Sequence, residues 1–296
     1  MRVAIGGASG LIGTELTNLC LKDEKVTAVF VNHGMLRKDE HINAPQALRD
    51  AGIENLVVLD ETEAFLKKLD GVDDPEEKRK IIGRTFIESF EAFALAHKDE
   101  FTHLGQGTLY PDVIESAGHG SGSKVIKSHH NVGGLPEKLA LKLVEPFRYN
   151  FKDEVRKIGM EIGLPRGMVF RHPFPGPGLA VRILGALDKE KIRVLQEADH
   201  IYMNALKSSG HYDKIWQAFA VLLPVKTVGV MGDNRTYQWV CALRAVTGKD
   251  AMTAGVSPLP MTFLSEVASQ IVRNVDGINR VVYDVTTKPP ATIEWE

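Results

Sequence analysis

The sequence lacks the features that mark secreted, membrane-spanning and nucleic-acid-binding proteins. Its 296 residues include two cysteines, Cys20 and Cys241, which are far apart and lie within apolar patterns. This usage predicts buried thiols in a reducing cytoplasm and excludes a disulfide framework. No apolar run approaches the roughly 18 residues of a membrane span, and glycines interrupt the only apolar stretch near residue 1, so neither a span nor a signal peptide is predicted. The formal net charge of -2 gives no overall attraction for nucleic acid.

The length and the ordinary content of 44% hydrophobic and 25% charged residues allow two domains, each with its own core. The stretch from Arg171 to Arg182 reads RHPFPGPGLAVR. Its prolines fix φ while its glycines allow positive φ, so it predicts a stiff connector rather than a helix or a central strand. We therefore place a domain boundary near Leu179, with an α/β domain at 1–178 and a small α+β domain at 179–296.

The first domain begins with a strand at 2–5, a glycine-rich loop and an amphipathic helix. Strands at 26–31 and 55–59 and a helix from Thr62 continue this alternation, which predicts a parallel sheet. The spacing of Gly7, Gly10 and Gly13 also fits a dinucleotide-binding loop. That interpretation requires an acidic residue at the end of the second strand, where this sequence has Asn32-His33-Gly34.

Further helices and strands are predicted by periodicity and by capping signals. Asp74 and Pro75 mark the start of a helix whose core face carries Ile82, Phe86, Phe90 and Phe93. The other predicted strands are 101–104, 216–223, 227–230, 239–246 and 280–285, and the other helices are 152–162, 189–206 and 263–272. Residues 141–144 and the helix at 152–162 complete the first domain. The last residues, 288–296, are predicted to form a packed apolar strand with an embedded carboxylate.

Two segments carry candidate catalytic side chains. Asp112 and Glu115 follow the strand at 101–104, at the edge where parallel sheets bind ligands, and their carboxylates suit Mg²⁺. Surface decoration is the competing interpretation of this pair. Lys127, His129 and His130 lie between glycine-rich flanks and predict a lid that closes over phosphates. Without a third ligand at a suitable spacing, the two histidines make a poor zinc site.

With these stretches in view, the sequence resembles the ATP-pyrophosphatase part of GMP synthase. The resemblance runs from Thr27 to Glu296, and its most specific blocks are 106–116, 126–136, 171–182, 216–233 and 280–296. It implies a parallel-sheet domain of the adenine nucleotide alpha hydrolase-like (PP-loop) class, followed by a small α+β dimerisation domain.

The resemblance also implies a reaction and its site. ATP would adenylate xanthosine monophosphate (XMP), and ammonia would then displace AMP to give GMP, with ATP and Mg²⁺ as cofactors. The residues it implies for ATP are Gly6, Gly7, Ser9, Gly10 and Val31. Those for catalysis are Asp112, Glu115, Lys127, His129 and His130, with Asp112 and Glu115 facing Mg²⁺. Those for XMP are Arg79, Gln217, Arg280, Lys288 and Glu294.

The implied partners are a second copy of the chain, in a homodimer, and a glutamine amidotransferase subunit or domain that supplies ammonia. No nucleic acid and no membrane is expected as a partner, and the location is expected to be cytoplasmic.

The glycine loop departs from the family pattern. The family reads Ser-Gly-Gly-x-Asp-Ser, whereas Ile5 and Ser9 stand here at the first serine and the aspartate. This departure leaves open a homologue that binds XMP without adenylating it. The spacing of Gly7, Gly10 and Gly13 leaves open a dinucleotide-dependent oxidoreductase.

Overall fold

The chain forms two compact units. A computed structural model describes residues 2–7, 25–110, 113, 141–248 and 252–296. The first unit comprises Met1–Gly34, Glu40–Phe65 and Arg79–Arg171, and the second comprises Met35–Asp39, Leu66–Lys78 and His172–Glu296. None of the described helices is long and apolar enough to cross a membrane.

The first unit is built on a parallel sheet, as the alternation of strands and helices predicts. Its strands are β1 (Arg2–Gly7), β2 (Lys25–Asn32), β3 (Leu56–Asp60), β4 (His103–Gly105) and β5 (Lys142–Val144). They lie in the order β3-β2-β1-β4-β5, and every neighbouring pair is parallel. Strand β4 begins two residues later than the sequence predicts, after the buried side chain of Phe101.

Helices lie between and after these strands in the sequence. They are α1 (Glu40–Asp50), α2 (Thr62–Leu69), α3 (Pro75–Ala96), α4 (Lys152–Glu161) and α5 (Arg166–Val169). Helix α3 begins as its capping signals predict, because the Asp74 carboxylate accepts a hydrogen bond from the Glu77 amide at 2.8 Å. Helix α1 is absent from the sequence predictions, because Pro45 lies inside it and its residues are mostly polar.

The second unit combines helices with a mixed sheet. Its elements are α6 (Lys189–Ser208), β6 (Gln217–Met231), β7 (Asn234–Thr247), β8 (Gly255–Val256), α7 (Met261–Asn274) and β9 (Ile278–Tyr283), with a 3-10 turn at Gly178–Arg182. Strand β7 is central, antiparallel to β6 and β8 and parallel to β9. Helix α6 packs on β6 and on α7.

Two sequence predictions for this unit are wrong. The strands predicted at 216–223 and 227–230 are one strand, β6, whose pairing with β7 is irregular between Leu223 and Lys226, where Pro224 interrupts the pattern. Residues 289–296 form no strand. They are packed all the same, and their two glutamates enter ion pairs with buried cations.

Candidate functional site

The parallel sheet offers a ligand site at the carboxyl edge of β1 and β4. Strand β1 pairs with β2 on one side and with β4 on the other, so the chain reverses its direction of progress across the sheet at this point. In open α/β sheets, ligands bind in the crevice outside such a reversal. Gly6 and Gly7, both predicted to bind ATP, are the last two residues of β1.

Space between these two strands is limited. Ile5 of β1 is fully buried and is the register partner of Gly105 in β4. A Cβ atom at residue 105 would lie 2.5 Å from Ile5 Cγ1, which is closer than real Cβ contacts come. The side chain at the position of the family's first serine is therefore part of the core in this chain.

The end of β2 is held by a closed polar network. Asn32 Nδ2 donates to Asp60 Oδ1 at 3.2 Å, and Asn32 Oδ1 accepts the Gly34 amide at 3.1 Å. Thr62 donates both its hydroxyl and its amide to Asp60 Oδ1, at 2.7 and 3.1 Å, and these bonds lower the pKa of Asp60. A dinucleotide-binding fold has its ribose-binding acid at the end of the second strand. In this chain Asn32 occupies that position, and its side chain is hydrogen-bonded to Asp60 and to the Gly34 amide.

Two other residues at this edge are buried. Val31, predicted to bind ATP, has no exposed surface, so only its backbone is available to a nucleotide from this strand. His33 is also buried, with its ring 5.8 Å from that of Phe65 and 6.5 Å from that of Phe86. Burial lowers the pKa of His33 to about 4, so its imidazole is neutral at pH 7.

The other predicted residues of the ATP half lie outside the described residues. They are Ser9, Gly10, Asp112, Glu115, Lys127, His129 and His130. Within the described part of the chain, no group of three or more His, Cys, Asp or Glu side chains is arranged to hold a metal ion.

In the second unit, the structure brings together Gln217 and Glu294, two of the residues predicted to bind XMP. Glu294 Oε1 accepts a hydrogen bond from Gln217 Nε2 at 2.6 Å. Arg182 grips the same carboxylate with two nitrogens, Nε to Oε2 at 3.0 Å and Nη2 to Oε1 at 2.8 Å. Such a bidentate, charge-assisted pair fixes both the charge and the orientation of a carboxylate.

A second glutamate of the same segment is held by a buried lysine. Lys78 Nζ donates to Glu296 Oε2 at 2.5 Å, to Ile183 O at 2.8 Å and to Ala180 O at 3.3 Å. The Gly185 amide donates to the other oxygen of Glu296 at 3.1 Å. Lys78 is fully buried, although its surrounding charge run reads in the sequence as a solvated face or an anion site.

A third buried cation binds the backbone of this segment. Arg244 donates from Nε to Ile293 O at 2.8 Å, from Nη2 to Thr292 O at 3.0 Å and from Nη1 to Thr286 O at 3.0 Å. Its Nη1 also donates to Asp284 Oδ2 at 2.6 Å. We call residues 284–296, which these three cations fix, the carboxylate segment.

Aromatic rings enclose Arg182, and a neutral histidine lies in the same unit. Its guanidinium carbon lies 4.2 Å from the Phe219 ring centroid and 5.1 Å from that of Phe174. His172 stacks on the Tyr212 ring at 3.8 Å, accepts the Ala218 amide on Nδ1 and faces Tyr212 O with Nε2 at 3.0 Å. These contacts require the tautomer protonated on Nε2, and burial lowers the pKa of His172 to about 4.

The remaining predicted XMP residues are dispersed. The backbone of Lys288 pairs with Ala254, next to β8 and at the same end of β7 as Gln217. Arg280 is exposed on β9 and pairs with Val240, six residues along β7 from the partner of Gln217, which is about 20 Å at strand rise. Arg79 is half-buried on α3 and belongs to the first unit.

Sequence reasoning missed the three cations that hold the carboxylate segment. Two of them had a readable signal, because Arg182 and Arg244 each interrupt an apolar run, LAVRIL and CALRAV. A charged residue within such a run is buried only when it is paired. Lys78 offers no comparable signal among its charged neighbours.

This chain is similar in sequence to several known proteins. Residues 204–295 match the family model described as the GMP synthase C terminal domain. GMP synthase [glutamine-hydrolyzing] of Bdellovibrio bacteriovorus is 55% identical over 98% of this chain and 57% of that protein, and the Aquifex aeolicus enzyme of that name is 56% identical over 98% of this chain and 56% of that protein. A solved U34-tRNA thiolase from Methanococcus maripaludis is 16% identical, with a TM-score of 0.34, over 71% of this chain and 68% of that one.

The chain spans a little over half the length of the GMP synthases that it matches. The identity of more than half of all residues extends over nearly the whole chain, and so includes both the parallel-sheet unit and the unit that holds Gln217 and Glu294. The chain is therefore homologous, over 98% of its own length, to the glutamine-hydrolysing GMP synthases.

Proposed function

We propose that this chain catalyses the ATP-dependent amination of XMP to GMP. One observation carries the proposal, namely 54–56% identity over 98% of the chain to proteins named GMP synthase. In the proposed reaction the O2 oxygen of XMP attacks the α-phosphorus of ATP and pyrophosphate leaves. Ammonia then adds at C2, and AMP leaves with the electron pair of its bond to that carbon.

The second unit is proposed to bind XMP. Arg182 pairs with the Glu294 carboxylate and fixes its orientation. This carboxylate is therefore suited to accept hydrogen bonds from the N–H groups of the xanthine ring or from the ribose hydroxyls of XMP. Gln217 lies beside it and offers an amide to the same ligand. Arg79, Arg280 and Lys288 are kept as proposed contributors, with Lys288 suited to the phosphate.

The first unit is proposed to bind ATP at the carboxyl edge of β1 and β4. Backbone N–H groups after Gly6 and Gly7 suit phosphates, because a strand followed by a glycine loop lets the chain approach closely. The roles of Ser9, Gly10 and Val31 at this site, of Asp112 and Glu115 toward Mg²⁺, and of Lys127, His129 and His130 as a lid stay predictions. Bound Mg²⁺ would neutralise charge on the leaving pyrophosphate.

The proposed functional domains are 1–178 and 179–296. The proposed ammonia source is a glutamine amidotransferase subunit or domain, which agrees with the name of the relatives, glutamine-hydrolysing GMP synthase, and with their greater length. The cytoplasmic location stays a prediction from cysteine usage. In the described structure, Cys241 is a buried, free thiol whose pKa burial raises to about 12.

A homodimer is proposed to form through the β6–β7 hairpin. Val228 and Val230 project from one face of β6 and are 55% and 77% exposed. Tyr237, the register partner of Val228, is 67% exposed on β7. A contiguous exposed apolar face of this kind favours burial against a partner surface, and a second copy offers the same face in return.

One observation favours a second function, XMP binding without adenylation. Ile5 fills the core at the position of the family's first serine, so that hydroxyl is absent from the phosphate edge. The dinucleotide-dependent oxidoreductase receives no support from the comparisons.

Pyrophosphate release from ATP and Mg²⁺, measured with and without XMP in high ammonium, tests the proposal. XMP-dependent release with stoichiometric GMP formation supports the ligase. XMP binding by calorimetry without any release supports the binding-only function. Failure to bind XMP would overturn both. If release is slow, Ser9→Asp should accelerate it, provided that the loop limits the reaction.

A further inference from the structure

Lys78 has no donor left for a ligand. An ammonium group has three N–H donors, and those of Lys78 go to Ala180 O, Ile183 O and the Glu296 carboxylate. The side chain is 0% exposed. Lys78 can therefore affect a ligand only by positioning the Glu296 carboxylate and the backbone at Ala180 and Ile183.

The acceptors of Lys78 lie on both sides of the pair that positions Glu294. Ala180 and Ile183 bracket Arg182 in sequence, and Glu296 is two residues beyond Glu294. One ammonium group thus ties the backbone that carries Arg182 to the segment that carries Glu294. Loss of the Lys78–Glu296 contact would remove one tie between the two sides of the Arg182–Glu294 pair.

Arg182 is also fully buried, and only its Nη1 has no hydrogen-bond partner among the described residues. Its Nε and Nη2 are committed to Glu294, and its guanidinium is enclosed by the rings of Phe174 and Phe219. With 0% exposure it offers no surface to a nucleotide. Glu294 itself keeps 17% of its side-chain surface exposed and is the member of this chain of contacts that a ligand can reach.

We propose that Lys78, Glu296 and Arg182 are positioning residues for the XMP site, acting as a relay that sets the place and orientation of the Glu294 carboxylate beside Gln217. This inference rests on the proposed function, because it takes XMP as the ligand of Glu294. Lys78, Arg182 and Glu296 would act on XMP binding through Glu294, without contacting the ligand themselves.

Glu296→Gln is the sharpest test, because it removes the charge while keeping the volume and an acceptor for the Gly185 amide. Binding of XMP and of ATP to the purified chain is measured separately by calorimetry, with the melting temperature alongside. We expect the Kd for XMP to rise at least fivefold and the Kd for ATP to stay within twofold. Glu197→Gln is the matched control, since Glu197 pairs with Lys38 at 2.7 Å in the same unit and neither residue belongs to the carboxylate segment.

Arg182→Lys separates orientation from charge. A lysine restores the positive charge but cannot grip both oxygens of Glu294 as the guanidinium does. We expect Arg182→Lys to bind XMP more weakly than the unaltered chain, even if the two proteins have the same melting temperature. Full XMP affinity in Arg182→Lys would show that only charge compensation matters and would overturn the orientation argument.

The outcomes also separate this inference from the proposed function. Unchanged XMP affinity in folded Glu296→Gln, with the unaltered chain binding XMP, overturns the relay and leaves the function intact. Equal loss of XMP and ATP affinity overturns it too, because that result indicates general destabilisation. Absence of XMP binding in the unaltered chain overturns the proposed function itself.

Discussion

Ile5 and Gly105 face each other across β1 and β4, and a Cβ atom at residue 105 would stand 2.5 Å from Ile5 Cγ1. The two residues are matched in size, because the large side chain on one strand occupies the volume that the glycine leaves open. Both lie at the edge of the sheet proposed to bind ATP.

Gly105→Ala is therefore expected to destabilise the first unit. Overpacking of this kind typically costs about 1–3 kcal/mol of unfolding free energy. Urea unfolding measures the loss. The double variant Ile5→Ala/Gly105→Ala should lose less than the sum of the two single variants, because removing Ile5 Cγ1 makes room for the new methyl group. Strict additivity would show that the two side chains do not compete for space.

Arg244→Met is expected to release the carboxylate segment. The variant leaves the Asp284 carboxylate and three backbone carbonyls without the donor that now serves them. Removal of one partner of a buried ion pair typically costs about 3–5 kcal/mol. Denaturant unfolding followed by hydrogen exchange in residues 284–296 checks this prediction. Arg235→Met on the exposed end of β7 is the control, and equal losses in the two variants would contradict it.

Stability should fall in acid because of His172. Its pKa is about 4 in the folded chain against an ordinary value of 6.5, so the unfolded chain binds the proton more readily. The stabilising contribution is complete above pH 6.5 and is lost as the pH falls from 6.5 toward 4, by up to about 1.4 kcal/mol per pH unit.

His172→Gln should flatten this part of the stability profile, because glutamine does not titrate. Exposed His200, changed in the same way, is the matched control. His33 contributes a parallel dependence in the first unit, so the His172 variant should keep part of the slope. An unaltered slope in His172→Gln would refute the assignment.

Val230→Lys should weaken the proposed homodimer by at least tenfold in Kd. A charge on the exposed face formed by Val228, Val230 and Tyr237 would be buried without an opposite charge in the dimer. Sedimentation velocity over a range of concentrations measures the change. Ile42→Lys on exposed α1 provides a comparison, and loss of association in both variants, or in neither, would argue against this face.

The architecture was largely readable from the sequence where the signal is local. The β–α alternation gave the parallel sheet, and Asp74 with Pro75 gave the start of α3. Helix α1 was missed because Pro45 and polar residues hide its periodicity. The predicted separation of 216–223 from 227–230 failed because Pro224 interrupts the pattern of what is one strand.

The candidate site was readable only in part. The family resemblance implies both Gln217 and Glu294 as XMP-binding residues, and in the structure Gln217 Nε2 lies 2.6 Å from Glu294 Oε1. Lys78 was not recognised, because its role depends on a partner 218 residues away that no local pattern indicates. Arg280 was grouped with Gln217, yet strand register separates the two within one chain.

The distance in sequence between Lys78 and Glu296 also governs how the second unit is made. Its residues come from three separate stretches, and the intervening 79–171 belong to the other unit. During synthesis, the strands β6 to β9 emerge while the contacts made by the carboxylate segment are still missing. The ion pair between Lys78 and Glu296 therefore cannot form until residue 296 has left the ribosome. Because this contact closes a long loop, we expect the second unit to complete its folding slowly and late.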